Sequence, residues 1–516
     1  MGFITNNTCY DLVALIITLL VGAIAFMKWK FTYWDKLGLL TLPPTLPFGN
    51  IKDLLFGYNS WGEQFQQFYN TLKAKGCRHG GIYVGASPAY VPVDLEIIKH
   101  IMQVDFQHFL SHGGYKDEEN DPLSGHLFNL DDVKWRNLRV KLTPTFTSGK
   151  MKMMFQTLAD CSVGLKDLID ESSTGVDIKD VLSRFGTDVI SSVAFGLECN
   201  SVKNPDVLFS YFGRRALEID IWDNIKIFMQ VMLPHRLLKA MKHKFTKTDV
   251  EKFFMKVIRE TVEYREKNNI YRKDFMHLLL QLKNRGTVTD DTSITDESGK
   301  PKEIALNMNE LAAQAFVFFM AGYETSSSTL SFALYELATN PDIQEKLRDE
   351  INSVLANHEG QMTYDAMMEM TYMEKVIHEA LRKYPPLPIL TRLCTRDYIV
   401  PDTTIQIKKG VGVIIPVLGI HRDPEYYPNP EVFDPERFND ENKKSRPAFT
   451  WLPFGDGPRI CIGMRFGMLQ SKVALTVLLK NYNVTLNEKT TTPIKFAKRS
   501  FLSKADGGVW LDFEKV

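Results

Sequence analysis

The sequence predicts a mainly α-helical protein with a minor β part and one N-terminal transmembrane helix. Apolar residues recur at helical spacing over long stretches, strand-like runs are few and short, and one uncharged apolar run lies near the N-terminus. The composition, 44% apolar and 24% charged over 516 residues, is that of a folded protein with a large core. It excludes whole-chain disorder, collagen and coiled-coil arrays.

Net charge and cysteine usage exclude further classes of protein. Lys and Arg number 62 and Asp and Glu number 62, so the net charge is zero and whole-molecule attraction to nucleic acid is not expected. The six cysteines contain no CxxC pair, which argues against a zinc site, and are too few for a disulfide scaffold. Five of them fit small buried hydrophobic residues. Cys461, in a glycine-rich loop, is the exception.

The apolar run from Leu12 to Met27 predicts a membrane anchor over residues 1–29. Basic and aromatic residues follow the run, as is typical of a membrane interface, and the positive-inside rule places the remaining chain in the cytosol. A cleaved signal peptide is the alternative. It requires positive charge before the apolar run, and residues 1–11 contain no Lys or Arg.

A proline-rich segment separates the anchor from the body. Pro43, Pro44 and Pro47 exclude a helix or a central strand, so residues 30–50 are predicted to form a stiff hinge. The remaining residues, 51–516, contain no second apolar run of membrane length and are predicted to form a single domain.

The elements of this domain follow in order. Alternating residues near Gly81–Val93 predict a β-hairpin, and a polar stretch at Asn284–Lys302 predicts an exposed loop. Helical spacing predicts helices at Trp135–Val140, Met151–Ile169, Thr187–Ala194, Thr248–Asn268, Asn309–Leu337, Thr371–Tyr384 and Met464–Asn481. Short strands are predicted at Tyr398–Val400, Thr404–Ile407 and Val411–Pro416. Asn307 or Asn309 is the expected N-cap of the longest helix.

The glycine-rich loop from Phe454 to Gly463 combines a thiol with a nearby cation. A thiolate is a strong soft ligand that needs positive neighbours or backbone N–H donors, and the start of a helix supplies such donors. Glycines let the backbone approach something large and flat, and Arg459 could bind carboxylates of the same group. A single axial thiolate tunes haem iron for O–O cleavage. From these residues alone, a turn around a buried Cys461 remains the alternative.

The pattern F-x-x-G-x-R-x-C-x-G resembles the haem-binding signature of the cytochrome P-450 family. It is filled by Phe454, Gly457, Arg459, Cys461 and Gly463. Four more family motifs occur in family order: W-x-x-x-R at 135–139, A/G-G-x-E/D-T-T/S at 321–326, E-x-x-R at 379–382 and P-E-R-F at 435–438. The resemblance covers the whole chain, including the anchor and hinge, and is similar to insect microsomal members that metabolise xenobiotics. It implies the cytochrome P-450 fold, a large helical domain plus a small β-rich region.

The resemblance implies haem b, iron protoporphyrin IX, with Cys461 as the axial thiolate ligand and residues 51–516 as the catalytic domain. The cofactor-binding residues that it implies are Trp135, Arg139, Ala321, Gly322, Arg392, Phe454, Arg459, Cys461 and Gly463. Of these, Trp135 and the three arginines would face the haem propionates. Glu379, Arg382 and Arg437 would form a buried structural network.

The helix around Thr325 is implied to be the catalytic one. Thr325 follows Ala321 by four residues, so both lie on one helix face. The hydroxyl of Thr325 and the carboxylate of Glu324 could organise water for proton delivery. In the family the Ala321–Gly322 pair leaves room for dioxygen, whereas simple helix packing would also explain Gly322.

The resemblance implies a membrane-bound monooxygenase on the cytoplasmic side of the endoplasmic reticulum. It would insert one atom of O2 into a lipophilic small molecule, either a xenobiotic, plant toxin or insecticide, or an endogenous hormone or lipid. The sequence contains no Rossmann or P-loop motif, so electrons from NADPH must arrive through another protein. NADPH-cytochrome P-450 reductase is the expected donor and cytochrome b5 an additional one. Candidate docking cations are Lys134, Arg136, Lys141 and Arg465.

Two alternatives remain open at this point. One is a fold relative that isomerises or dehydrates peroxides without activating O2. The other is a protein that binds haem or sequesters a ligand without catalysis. The intact proton-relay motif from Ala321 to Thr325 argues against both.

Overall fold

The computed structural model describes residues 8–171, 174–204, 207–218, 220–233, 235–288 and 305–516. The helices of the first part of the chain are α1 (Thr8–Lys30), α2 (Tyr33–Lys36), α3 (Lys52–Leu55), α4 (Trp61–Ala74), α5 (Leu95–Lys99), α6 (Asp132–Leu142), α7 (Ser148–Glu171), α8 (Ile178–Ile190), α9 (Leu208–Leu217), α10 (Ile221–Met232), α11 (His235–Ala240), α12 (Thr248–Asn268) and α13 (Phe275–Arg285). The later helices are α14 (Met308–Thr339), α15 (Pro341–Asn357), α16 (Tyr364–Glu369), α17 (Thr371–Lys383), α18 (Val417–His421), α19 (Asp440–Ser445) and α20 (Met464–Asn481).

The strands are short and confined to small sheets. They are β1 (His79–Val84), β2 (Ser87–Pro92), β3 (Val176–Asp177), β4 (Leu390–Leu393), β5 (Tyr398–Ile399), β6 (Gln406–Ile407), β7 (Gly412–Ile415), β8 (Tyr482–Leu486) and β9 (Trp510–Lys515). The prediction of a mainly helical protein with a minor β part is confirmed.

The largest sheet has the strand order β1-β2-β7-β4. The β1–β2 pair is the predicted hairpin, and β7 joins it in parallel, with Ala89 opposite Gly412. At the far edge, β4 runs antiparallel to β7 and sets Arg392 opposite Val413. The sheet therefore holds Arg392 on a strand whose register is fixed by a buried neighbour.

The longest helix, α14, forms the centre of the helical core. Asn307 is its N-cap: Asn307 Oδ1 accepts the Glu310 N–H at 2.9 Å, and Glu310 Oε2 accepts the Asn307 N–H at 2.9 Å. This reciprocal capping box satisfies two backbone donors that the helix itself leaves unpaired. Most residues of α14 are buried against α8, α17 and α20.

Helix α1 has exposed side chains, and the stretch Cys9–Lys36 is long and apolar enough to cross a membrane by length and composition. A signal sequence at this place would pass the same test. The following segment packs on the sheet. Trp34 is fully buried and its Nε1 donates to Ile82 O at 3.0 Å, while Asn50 Oδ1 accepts the Tyr83 N–H at 2.8 Å. The division at residues 30 and 50 stays a prediction, but the hinge residues contact the body.

Some predicted boundaries shift. The helix predicted at Thr187–Ala194 is the end of α8, which begins earlier and continues as a π-helical turn over Ser191–Phe195. Helix α13 extends to Arg285 and ends at Gly286, whose φ of 78° suits a residue without a side chain. Most of the predicted exposed loop, residues 289–302, lies outside the described residues.

Candidate functional site

The loop that carries Cys461 depends on glycines at its turn. Gly455 and Gly457 both have a φ of 69°, in the left-handed region. A Cβ on Gly457 would also lie 1.9 Å from Met102 O, so the backbone could not approach the π-helical turn His100–Val104 with any other residue. The chain then turns back on itself, and the Cys461 N–H donates to Phe454 O at 2.9 Å.

Cys461 lies three residues before α20. Burial raises the pKa of this thiol above its ordinary value. The N–H groups of Gly463 and Met464, which bond to the sulfur, and the nearby Arg139 lower the pKa and offset part of that rise. The side chain nevertheless keeps an exposed surface. A sulfur that lies deep in the protein and is still exposed faces an enclosed space.

Three arginines, Arg139, Arg392 and Arg459, gather near this space and are called the arginine cluster below. Burial lowers the pKa of all three, to about 10 for Arg392 and about 9 for Arg459, and Arg392 and Arg139 further lower that of Arg459. The Arg459 guanidinium stacks 4.4 Å above the Trp135 ring. The four predicted propionate contacts, the cluster and Trp135, thus converge.

The polar contacts of the cluster differ between its members. Arg459 directs all three guanidinium nitrogens to backbone carbonyls, those of Leu110, Leu127, Phe128 and Leu130. Arg392 Nη1 donates to Thr391 O at 2.8 Å. Arg392 Nε is buried and has no hydrogen-bond partner among the described residues. A buried donor without a partner is costly, and gathered cations attract anions. The two carboxylates of a haem fit this arrangement.

Helix α14 has an opening in its packing at Ala321 and Thr325. Ala321 is exposed although it lies at the middle of a core helix. The Thr325 hydroxyl donates to Ala321 O at 2.6 Å, one turn back. The next residue, Ser326, lies 3.8 Å from where a Cβ on Gly467 of α20 would be. Helix α14 is therefore packed against α20 on the side next to this open face.

Gly322 lies on another side of α14. A Cβ there would meet Ile190 Cδ1 of α8 at 2.4 Å. The missing side chain thus permits close packing of α14 and α8, which supports the helix-packing explanation of Gly322. Ala321, not Gly322, supplies the small residue on the open face.

Glu324 is buried and forms a contact group that the sequence did not predict. Its Oε1 lies 3.1 Å from Lys179 Nζ and 3.0 Å from Lys504 Nζ. Burial alone would raise the pKa of Glu324, but the two lysines lower it below its ordinary value. No local motif marks either lysine, since one comes from α8 and the other from the C-terminal loop.

The E-x-x-R residues form the buried network that the resemblance implied. Arg382 binds Glu379 in a bidentate pair at 2.7 and 2.8 Å, and both side chains are fully buried. Arg437 Nε lies 3.3 Å from Glu379 Oε1. Arg382 also donates to His421 O at 2.9 Å, and His421 Nε2 accepts the Leu452 N–H at 2.7 Å. The network thereby fixes the chain just before the Cys461 loop.

The candidate docking cations lie on α6 and at the start of α20. Lys134, Arg136 and Arg465 are exposed, and Lys134 pairs with Glu118 at 2.9 Å. Lys141 is half-buried, and burial lowers its pKa. Since Trp135 on the same helix is buried, α6 presents one side to the arginine cluster and another to solvent.

Comparison with known proteins agrees with this geometry. The cytochrome P450 family profile matches residues 42–511. The chain is 43% identical over 501 residues to cytochrome P450 6A1 of Musca domestica, with 96% of each chain covered. It is 41% identical to probable cytochrome P450 6a20 of Drosophila melanogaster, over 98% of this chain and 100% of that one. It is 39% identical to cytochrome P450 6k1 of Blattella germanica, over 100% and 99%. The chain therefore belongs to the cytochrome P450 family of monooxygenases.

Proposed function

We propose that this chain is a membrane-anchored monooxygenase that holds haem b through Cys461 and inserts one atom of O2 into a lipophilic small molecule. The observation that carries the proposal is the placement of Cys461 beside the arginine cluster. The surrounding protein desolvates its thiol, but the side chain stays accessible to a ligand. Haem held through this thiol would supply the oxygen-activating chemistry. The residues of this chain supply binding, orientation and protons.

The surroundings of Cys461 suit an iron-bound thiolate. The Gly463 and Met464 N–H groups share the negative charge of the sulfur, and Arg139 adds a positive charge nearby. Burial opposes an ionised thiol, and a metal ion offsets that cost because a coordinating thiol is deprotonated outright. The position of Cys461 and its electrostatic surroundings thus support it as the proposed iron ligand.

The arginine cluster and Trp135 would hold the propionates. Cations that are this strongly desolvated need anionic partners. Since Arg459 already donates to backbone carbonyls, Arg392 and Arg139 are the cations that the propionates would meet most directly. Two carboxylates would satisfy the cluster and fix the cofactor's orientation.

Thr325 and Glu324 would divide the handling of protons. Thr325 lies on the open face of α14, where its hydroxyl can order water. Glu324 points instead to Lys179 and Lys504, which keep it ionised. The carboxylate would have to leave a lysine in order to pass a proton towards Thr325.

Electrons would come from NADPH through NADPH-cytochrome P450 reductase, with cytochrome b5 as an additional donor. The exposed cations Lys134, Arg136 and Arg465 are the proposed docking surface, near the Cys461 side of the domain. The proposed location is the endoplasmic reticulum membrane, with the catalytic domain on the cytoplasmic side. The apolar helix α1 and the basic residues after it support this orientation.

The substrate is proposed to be a lipophilic xenobiotic or an endogenous hormone or lipid. Aromatic side chains lie near α14 in the turns before Ala321 and Thr325. Phe318 is half-buried, and its ring lies 4.4 Å from that of Phe275 and 5.1 Å from that of Phe146. Such a wall favours apolar molecules because it buries their surface.

Two measurements test this function. Purified chain, reductase and NADPH are incubated with a substrate panel under 18O2, and mass spectrometry detects products that gain one labelled oxygen. Turnover of a hydroperoxide without reductase would support the peroxide isomerase or dehydratase instead. Absence of NADPH consumption with every ligand would support a binding protein. In parallel, Cys461→His should abolish the red-shifted carbon-monoxide band of the reduced thiolate haem, whereas Cys77→Ser should keep it.

A further inference from the structure

His112 is held beside the arginine cluster by contacts on three sides. Its ring stacks on Phe128, with centroids 4.2 Å apart and planes at 9°. Its Nδ1 lies 3.2 Å from Arg392 Nη1 and 3.1 Å from Thr391 O. The loop itself is joined to β4, since the Leu393 N–H donates to Ser111 O at 2.8 Å. The ring therefore has one defined position.

Both polar contacts of the ring involve Nδ1. A guanidinium only donates and a carbonyl oxygen only accepts, so Nδ1 accepts from Arg392 when it is unprotonated and donates to Thr391 O when it is protonated. Nε2 is the ring nitrogen that these contacts leave for a ligand, and in the imidazolium it carries a proton.

His112 shares an unusual environment with Cys461. Burial lowers the pKa of its imidazole well below the ordinary value, and Arg392 and Arg459 lower it further. The side chain nevertheless keeps exposed surface. Like Cys461, it lies deep in the protein and faces an enclosed space.

We propose that His112 donates its Nε2–H to a haem propionate and is the titratable member of an anion site otherwise built from arginines. Haem retention then depends on pH through this residue. The inference rests on the proposed haem site and adds one residue that no motif of the chain marks.

The direction of the pH dependence follows from charge. A propionate beside the ring favours imidazolium, so the pKa of His112 is higher with haem than without it. The charged groups that face the ring are Arg392 from β4 and Arg459 from the Cys461 loop, and Arg459 in turn faces Arg139 and Asp131. In the protonated ring, Thr391 O accepts Nδ1–H. Between the two pKa values haem binding takes up one proton, so affinity falls as pH rises.

The test measures haem transfer from the full-length holoprotein to excess apomyoglobin between about pH 5.5 and 8.5. The transfer rate should rise with pH, by up to about tenfold per pH unit within the window. His112→Arg should transfer slowly at every pH, because its charge does not titrate, and His112→Gln should lose the pH dependence and transfer faster at low pH. His79→Gln, at a half-buried histidine of β1, should behave as the unchanged protein.

The reduction potential provides a second readout on the same proteins. The potential should become more positive as pH falls in the unchanged protein and in His79→Gln. In His112→Gln and His112→Arg, the part of this pH dependence that comes from protonation of His112 should be missing. An unaltered pH dependence in both His112 variants would overturn the inference while the thiolate carbon-monoxide band remains. Absence of that band from the unchanged protein would overturn the proposed haem site itself.

Discussion

Lys179 Nζ lies 3.1 Å from Glu324 Oε1, and this pair joins α8 to the middle of the longest helix. The lysine is so enclosed that burial lowers its pKa, although the carboxylate opposes the shift. Lys504 reaches the same oxygen from the C-terminal loop. One buried carboxylate thus connects three distant parts of the chain, and its charge contributes to both stability and proton supply.

Lys179→Met should destabilise the fold in a pH-dependent way. The pKa of folded Glu324 is lowered, so its ionised form stabilises the protein above the unfolded-state pKa, and that contribution is lost as pH falls through the folded pKa. Because Lys504 remains, the loss should be below the roughly 3–5 kcal/mol typical of breaking a buried pair. Urea unfolding at about pH 7 and at lower pH measures it, and the difference from the unchanged protein should shrink on acidification.

Lys152→Met is the matched control for that variant. Lys152 pairs with Asp365 at 2.7 Å, but both side chains are exposed. Removing an exposed pair changes stability little. An equal loss in both variants, or a loss that does not depend on pH, would contradict the role assigned to Lys179.

Thr325→Ala should uncouple NADPH consumption from product formation. A hydroxyl on the open face can order the water that delivers protons, and a methyl group cannot. Loss of one proton-transfer group typically lowers the rate of the catalysed step roughly 10²- to 10⁴-fold. We expect the lower end of this range, because water and Glu324 partly substitute for the hydroxyl. The ratio of product to NADPH should fall, and hydrogen peroxide should account for the missing electrons.

Ser331→Ala controls for the loss of a helix hydroxyl. Ser331 makes the same type of bond, to Ser327 O at 2.7 Å, but is buried in the core. It should leave the product ratio unchanged. An unchanged ratio in Thr325→Ala would reduce Thr325 to a packing residue.

Gly322→Ala should destabilise the protein although alanine is the better helix former. The new methyl would lie 2.4 Å from Ile190 Cδ1, and overpacking a core costs about 1–3 kcal/mol. Chemical denaturation should show the loss, and the double variant with Ile190→Ala should recover much of it. If the single variant is fully stable but uncouples O2 use, the explanation that gives dioxygen the space beside Gly322 is the correct one.

Reversing charge on α6 should slow reduction of the haem by its flavoprotein partner. Lys134→Glu with Arg136→Glu alters two exposed cations without touching the buried Trp135. The effect should be larger at low salt, because exposed charges are screened beyond about 10 Å at ordinary ionic strength. Stopped-flow reduction at several salt concentrations measures it, with Lys152→Glu as control. If the double variant and the unchanged protein are reduced at the same rate at every salt concentration, Lys134 and Arg136 are not part of the docking surface.

The sequence predicted what depends on local spacing. The hairpin, the helix at Thr248–Asn268 and the helix at Met464–Asn481 required only periodicity, and the last two have the predicted bounds. The start of α8 was missed, although Ile178, Val181, Leu182 and Phe185 form a buried helical stripe. Asn307 and Asn309 were both candidate caps, and the sequence already separates them, because Glu310 follows Asn307 by three residues and completes the capping box that the structure shows.

The parts of the site that could not be predicted depend on contacts between distant residues. Lys179 and Lys504 meet Glu324 only because α8 and the C-terminal loop pack against α14. His112 meets Arg392 because an irregular loop pairs with the edge of a sheet. In each case the functional residue type is common and its neighbours in sequence carry no signal, so the fold has to bring the partners together first.

The burial of Trp34 limits how the domain can move relative to a bilayer. Only three residues separate it from the end of α1, and one of them, Phe31, accepts a hydrogen bond from the Tyr83 hydroxyl at 2.7 Å. In a chain anchored as proposed, the catalytic domain could not rotate freely about the end of the transmembrane helix, because no flexible linker separates the two. The tilt of the domain would be set by the angle at which α1 leaves the membrane. Any opening of the domain towards the lipid would therefore keep a fixed depth in the bilayer and a fixed orientation relative to it.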